Sequence, residues 1–573
     1  MRGRRGTWAL AAVVVVGTAV PVAEASQRVP STRTVAVPDT LSATLTAGQR
    51  VRAELSFAAT HVVLSWRGRE ASGVAYRTVG TSGEMSPWRR APEAHDLEHG
   101  DHHYSGVLAV GRAESVEWRP AGRAHPDDVR IDYLNTVDGP ERIVRLPAEQ
   151  DQPDGTPDIV TRAEWGADES LKDTTGACER DFFNLQQLFV HHTAGTNFDD
   201  NPAATMRAIY HYHVVSRGWC DVGYNFVIAP DGSIFEGRWA RSYRPWETHT
   251  SETRGGKVVA GAHVADYNSG SLGVSVMGNY SQVAVPPEAR RSLAEILAWK
   301  ADRHDLDPQG THTYVNPESG LHDRLPVIAG HRDAGSTECP GNKLYAVLDD
   351  VRDDTAAAMG EGKADSRIQL AASARRAAYR DRVSYTGNLR DASGVGLAGR
   401  EVTLYRRNGT RAWKQEAVLV TGLDGAFSHV VTARANVGIV AVYAGDDSMW
   451  GDQSRLSLTK VAPDVTLTAE GGSTDATGVH HYPRGTSKVS LAGTVMPHHA
   501  GNQVVIEVDE VQPDGSLKEI SSKMVVIDST GSFRSVFKVP HPDLGGSFQA
   551  DARFVHDDDH AASTSPPVSF TVD

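Results

Sequence analysis

A chain of 573 residues with 40% hydrophobic, 23% charged and 7% aromatic side chains has ordinary globular composition, which excludes a disordered, collagen-like or polytopic membrane protein. At about 150 residues per domain, roughly four hydrophobic cores are expected. Lys+Arg 58 against Asp+Glu 72 gives a net charge of −14, so the basic surface that a nucleic-acid partner requires is missing and no such partner is expected.

Residues 1–25 read as an export signal. Arg2, Arg4 and Arg5 precede the apolar stretch Trp8 to Val20, and Ala23-Glu24-Ala25 is a small-x-small cleavage site. No later run of 18 or more apolar residues follows, so the mature chain is expected outside the cytoplasmic membrane, without a membrane span, as a monomer. Only Cys178, Cys220 and Cys339 occur. In an oxidising compartment an odd thiol calls for explanation. The simplest pairing is a Cys178 to Cys220 disulfide, with Cys339 held back for a metal or for catalysis; sequence alone does not prove it.

Residues 35–148 show short alternating segments, such as Val51 to Leu55 and Val62 to Trp66, broken by Gly, Ser and Pro. That period of two predicts a small β-sandwich. His95, His99, His102 and His103 lie close together, but among Asp, Glu and Gly they read as a solvated loop rather than a metal site. Gln150 to Pro157 reads as a linker.

Over 158–353 the pattern changes to alternating strands and helices. Leu188-Phe189-Val190 is an apolar strand, and Pro202 opens a helix with Met206, Ile209, Tyr210 and His213 on one face. Pro230-Asp231-Gly232 marks a hairpin, Leu272 to Met277 a buried strand, and Pro286-Pro287-Glu288 the start of a helix ending near Asp307-Pro308. Val327 to Ala329 gives a last strand and Lys343 to Val351 a last helix. The hairpin makes the sheet of this α/β domain mixed.

A polar connector is expected over 354–381, and alternation then returns in two copies, 382–462 and 463–573. Gly399 to Leu404 answers Gly501 to Ile506, Asp424 to Phe427 answers Ser529 to Phe533, and Tyr443 to Asp447 answers Phe554 to Asp558. The copies resemble bacterial immunoglobulin-like repeats, which implies two tandem β-sandwiches. The acidic loops Asp446-Asp447 and Asp557-Asp558-Asp559 suit calcium or a solvated turn; their spacing follows no calcium-loop pattern.

The dense constellation of candidate chemistry is central. His191 and His192 follow one buried strand, His331 follows another, and Cys339 lies eight residues beyond. Catalytic zinc takes three protein ligands and one open position, which His191, His331 and Cys339 would satisfy. Buried structural histidines and a capping turn fit the residue types as well. Adjacent strand residues face opposite ways, so His192 should pack behind the site. Asp333 fits either an acceptor orienting a ligand or a simple turn.

The motifs Phe189 to Ala194, Gly218 to Phe226, Asp231-Gly232 to Glu236-Gly237-Arg238, Gly261-Ala262-His263, Asn268, Gly273, Gly330 to Asp333 and Cys339-Pro340-Gly341 occur in one order. Together they resemble the peptidoglycan recognition protein family and its relatives, the type 2 N-acetylmuramoyl-L-alanine amidases. The arrangement is similar to that of secreted actinobacterial amidases. The resemblance implies cleavage of the amide between the lactyl group of N-acetylmuramic acid and L-alanine, with His191, His331 and Cys339 as ligands of Zn2+. It also implies Tyr224 as catalytic tyrosine, Thr337 as oxyanion helper, and His263 and Arg238 as substrate contacts. Non-catalytic members typically lack the ligand cysteine, which this chain keeps. The implied partner is peptidoglycan, and the implied location is extracellular or at the wall. A recognition protein that binds without cutting, a cysteine peptidase pairing Cys339 with His331, and a wall adhesin are the competing readings. The polar stretch Trp239 to Val259 departs from the family pattern and fits either a groove wall or a surface excursion.

Overall fold

The computed structural model describes residues 33–46, 55–68, 73–94, 101–121, 123, 125–146, 156–172, 178, 180–197, 200–360 and 362–573. The export signal, His95, His99, most of the 150–157 linker and nearly all of Val51 to Leu55 lie outside them. Among the described residues no helix is long and apolar enough to cross a membrane.

The N-terminal module is built of strands alone, with Arg33–Pro38 and Glu141–Leu146 paired apart from a larger sheet. Seven of its strands form one sheet, with the 13-residue strand Leu108–Pro120 pairing Ala59–Arg67 through its first half and Val74–Gly80 through its second. Val62, Leu64, Trp66, Tyr76, Trp118, Ile131 and Tyr133 share its core. The strand Ala59–Arg67 is buried along most of its length rather than alternately. Its second face is covered too: Val63 and Leu134 pack with Met206 and Ile209 of the helix Pro202–His211 in the central domain. His61 Nε2 lies 2.9 Å from Thr205 Oγ1, and Arg207 donates to the Thr136 carbonyl at 2.9 Å. His102 and His103 belong to a short strand, His102–Tyr104, paired with Ala59–Arg67, not to a solvated loop. His103 stacks on Trp66 and pairs with Glu93 at 2.6 Å.

The central domain is built on a six-stranded sheet. In spatial order its strands are Ile159–Val160, Ile234–Glu236, Phe226–Ile228, Ser271–Val276, Gln187–His192 and Ile328–Gly330. All neighbours are parallel except the hairpin pair Phe226–Ile228 and Ile234–Glu236, so the sheet is mixed as expected. Helices Pro287–Arg303 and Leu348–Met359 cover the face carrying Leu188, Val190, Val274 and Ile328. The helix Pro202–His211 covers Val227 and Phe235 on the other, giving a three-layer α/β/α arrangement. The expected last helix, Lys343 to Val351, is instead a short helix Asn342–Tyr345 followed by Leu348–Met359. That second helix runs into the expected connector because Arg290 reaches across to Asp350 and Asp354 while Leu348 and Val351 enter the core. The rest of the connector is also ordered: Ser366–Ala372 and Arg376–Ala378 are strands of the next module.

The two C-terminal modules share one plan. Each has a three-stranded sheet (Ser366–Ala372, Arg382–Asp391, Ala426–Thr432; Asp464–Glu470, Lys488–Met496, Ser532–Lys538) beside a larger one. In each larger sheet a central pair matches, Glu401–Asn408 with Val437–Gly445 and Gln503–Val511 with Gly546–Phe554. A Cβ at Gly387 would lie 2.4 Å from Phe427, and one at Gly493 would lie 2.4 Å from Phe533. Both copies thus use a glycine to seat the same phenylalanine across a strand pair. Asp446 is a turn residue whose carboxylate accepts the Ser448 and Met449 N–H groups.

The stretch Trp239 to Val259 docks outward onto the third module. Trp246 stacks on Tyr405 with ring centroids 4.1 Å apart and meets Trp413 edge-on at 5.1 Å. Gln453 Nε2 donates to Glu247 at 3.0 Å. The segment is therefore a bridge between modules, which neither sequence alternative described.

Candidate metal centre

The geometry of the centre follows from strand register. Val190 pairs with Gly330 in the parallel ladder, so the residues that follow them, His191 in its strand and His331 at the start of a 3-10 turn, emerge side by side at the carboxyl edge of the sheet. Open α/β sheets place their ligand sites at that edge. Cys339 is returned to them by Arg332. Its backbone N–H and Nε donate to the Cys339 carbonyl at 3.1 and 3.2 Å, and its Nη1 donates to Asn342 Oδ1 at 2.9 Å.

One ligand atom from each of His191, His331 and Cys339 lies within 4.8 Å of the others, at 0%, 6% and 1% exposure. Cys339 Sγ is 3.6 Å from His191 Nδ1, and the two imidazole centroids are 4.9 Å apart. Two imidazoles and a thiol converging in a buried place are the donor set that zinc prefers, so these residues fit that ion.

The other ring nitrogen of His191, Nε2, lies 3.2 Å from His263 Nδ1. A metal-ligating imidazole is characteristically held through its second nitrogen, and this contact supplies such a hold. His263 itself is enclosed rather than open to a substrate. It is 1% exposed, beside Phe189, and a Cβ at Gly273 or Gly261 would lie 2.6 or 2.3 Å from its ring. Its position comes from Asn268, whose Oδ1 accepts the N–H groups of His263 and Val264 at 2.8 and 3.1 Å. The structure places His263, expected as a substrate contact, directly against His191.

Tyr224 is buried next to His191 with centroids 5.4 Å apart. Thr337 Oγ1 accepts the Cys339 N–H at 3.1 Å, tying it to the ligand loop. Arg238 is half-buried, and its backbone N–H donates to the Tyr224 carbonyl at 2.8 Å. Burial lowers its guanidinium pKa against the pull of Asp221. His192 turns to the opposite face, as the period of two requires, and its Nδ1 accepts the Tyr280 N–H at 3.2 Å. Asp333 closes its own turn, accepting the Gly330 N–H at 2.8 Å and the Tyr345 hydroxyl. Cys178 and Cys220 form a disulfide with Cα atoms 5.6 Å apart.

Sequence reasoning had no role for Arg332, Asn225 or Asn268, although all three lie inside the motifs. Asn225 Oδ1 accepts the Gly273 N–H at 2.9 Å while its Nδ2 donates to Ser251 and Val259, locking the strands beneath Tyr224. A buried amide side chain satisfied on both ends was the available signal.

Fold and site together define an α/β domain with two histidines and a cysteine, a group that could hold a metal ion, converging at adjacent strand ends. A family model described as N-acetylmuramoyl-L-alanine amidase matches residues 183–342. The chain is 34% identical over 190 residues to peptidoglycan-recognition protein SC2 of Drosophila simulans, covering 33% of this chain and 82% of that protein. It is 35% identical over 195 residues to peptidoglycan recognition protein 1 of Bos indicus, with the same coverage, 33% and 82%. A human N-acetylmuramoyl-L-alanine amidase is 32% identical over 200 residues, 34% of this chain and 28% of that protein. The chain belongs to the peptidoglycan recognition protein and type 2 N-acetylmuramoyl-L-alanine amidase family. Membership narrows the central domain to peptidoglycan amidase or peptidoglycan recognition.

Proposed function

We propose that this protein is an exported, zinc-dependent N-acetylmuramoyl-L-alanine amidase that hydrolyses the lactyl-L-alanine amide of peptidoglycan. The observation that carries the reading is the buried convergence of His191, His331 and Cys339, with the cysteine present as third donor. The retained cysteine favours hydrolysis over recognition alone, since the resemblance implies that non-catalytic members typically lack it.

When bound, zinc supplies a Lewis acid that acidifies water and polarises a carbonyl. The chain's own residues do the rest. His263 holds the ring of His191 through Nε2, and Arg332 holds the Cys339 loop. Tyr224, beside His191, is assigned to donate to the oxygen on which negative charge develops. Thr337 accepts the Cys339 N–H and still has its own hydroxyl proton to donate toward the same oxygen. Arg238, two residues beyond the strand Ile234–Glu236 and bonded through its N–H to the Tyr224 carbonyl, is assigned to a stem-peptide carboxylate. The two C-terminal modules, read as immunoglobulin-like sandwiches, and the N-terminal β-module would hold the domain at a wall surface.

The test joins metal analysis with mass spectrometry of digested peptidoglycan. Lactyl-bearing glycans and intact stem peptides are expected from the zinc-loaded chain, and Cys339→Ala and His331→Ala are expected to lose both zinc and hydrolysis. Full hydrolysis by a chain verified free of metal would refute the metal reading, and binding without cleavage by the zinc-loaded chain would leave recognition as the function.

A further inference from the structure

The last module carries a second group of donors. Val504 pairs with Phe554 in the antiparallel ladder, so the loop preceding the first strand and the loop following the second meet at one end of the sheet. His499 stands in the first loop, Asp557 and His560 in the second. One imidazole nitrogen from each histidine and one Asp557 oxygen lie within 4.8 Å of one another. His499 Nδ1 is 2.9 Å from Asp557 Oδ2, His560 Nδ1 is 3.8 Å from Asp557 Oδ1, and the rings meet edge to face at 4.6 Å. The histidines are 9% and 4% exposed.

Orientation separates this group from an ordinary buried ion pair. His560 Nε2 donates to the Arg434 carbonyl at 2.9 Å, which aims Nδ1 at the carboxylate without a hydrogen bond of its own. Metal-ligating imidazoles are held in this way, the far N–H given to a backbone carbonyl. Asp557 is equally fixed. Its Oδ1 accepts the N–H groups of Asp559 and His560 at 3.0 and 2.6 Å, and its Oδ2 accepts Asn502 Nδ2 at 2.9 Å. A buried imidazole nitrogen without a partner is costly, and a cation between the rings and the carboxylate would satisfy it. Two nitrogen donors do not suit calcium, which takes six to eight oxygens.

We propose that His499, Asp557 and His560 form a second metal site, for a divalent first-row transition ion of the zinc type, at the junction of the two C-terminal modules. The same loop carries the junction: the Asp559 carbonyl accepts the Asn436 N–H at 2.6 Å, and the Ala561 N–H donates to the Val461 carbonyl at 2.8 Å. An ion held by Asp557 and His560 clamps this loop to His499 and stiffens the contact between modules. The site is independent of the central one.

The test uses the full chain, stripped by chelator and titrated with cobalt(II) and then zinc. Two equivalents are expected. One shows a thiolate-to-cobalt charge-transfer band from Cys339, and the other adds d–d absorption without that band. His499→Gln/His560→Gln is expected to remove the second equivalent and keep the thiolate band. Asp557→Asn, which preserves an acceptor oxygen for the loop, is expected to weaken the second equivalent at least about tenfold. A single equivalent with the thiolate band, or a second equivalent that survives the double substitution, overturns the proposal. Loss of the thiolate band alone would instead count against the central metal centre and leave this one standing.

Discussion

Glu252 and Lys300 form an ion pair at 2% and 0% side-chain exposure, the carboxylate coming from the bridging segment and the ammonium from the helix Pro287–Arg303. His304 Nε2 is 3.1 Å from the same oxygen. Burial works against ionisation of Glu252, but Lys300 and His304 outweigh it and hold the pKa at about 2, below the ordinary 4.5. The same burial lowers the pKa of the Lys300 ammonium, so desolvation of the pair offsets part of what the depressed Glu252 carboxyl contributes. Because the folded value is depressed, the contribution is present above about pH 4.5 and is lost as pH falls toward 2. Glu252→Gln leaves the ammonium buried without its counter-charge, a change that costs about 3–5 kcal/mol. For a domain of this size each kcal/mol moves Tm by about 2–4 °C, so calorimetry should show the central transition falling by at least about 6 °C at pH 7. The acid-induced loss between pH 4.5 and 2 should flatten in the same variant, and Glu252→Gln/Lys300→Met should recover part of the deficit by removing both charges. A drop of under about 2 °C, or a double variant no more stable than the single one, would refute the claim that this pair anchors the segment.

Trp246→Ala removes the ring stacked on Tyr405 and should weaken the contact between the central domain and the next module by about 3–5 kcal/mol. Limited proteolysis should then cut faster between those modules while hydrolysis of a soluble muropeptide is unchanged; an unaltered digestion pattern would remove the bridging role. Arg332→Gln deletes the Nε bond to the Cys339 carbonyl and should lower zinc affinity by about 10–100-fold in chelator competition, with the circular dichroism unchanged. Arg332→Lys should rescue it only in part, since a single ammonium does not reproduce the guanidinium fork. Wild-type affinity in the Gln variant would show that the loop closes without this residue.

The convergence of His191, His331 and Cys339 and the mixed sheet were legible because both follow from local patterns. An apolar strand precedes each histidine, the hairpin turn is marked by Pro230-Asp231-Gly232, and the period of two sends His192 away from His191. Elsewhere the local pattern misled. The segment Ala59–Arg67 is buried on both faces because another domain covers the second one, and alternation cannot report that. The helix Leu348–Met359 carries on from Asp354 into the stretch expected as a polar connector, where Arg290 stands beside the Asp354 carboxylate.

Periodicity and turn chemistry along the chain therefore marked most strands of the central sheet, and the motif order pointed to His191, His331 and Cys339, which the structure brings together. Tertiary structure alone decided that His263 stands behind His191, that Trp246 lies on Tyr405, and that His499 meets Asp557 and His560. The physical reason is that strand and helix periods act over a few residues. A contact between loops depends on ladder register and on which faces of separate modules are left to be covered, and no single stretch of sequence encodes either.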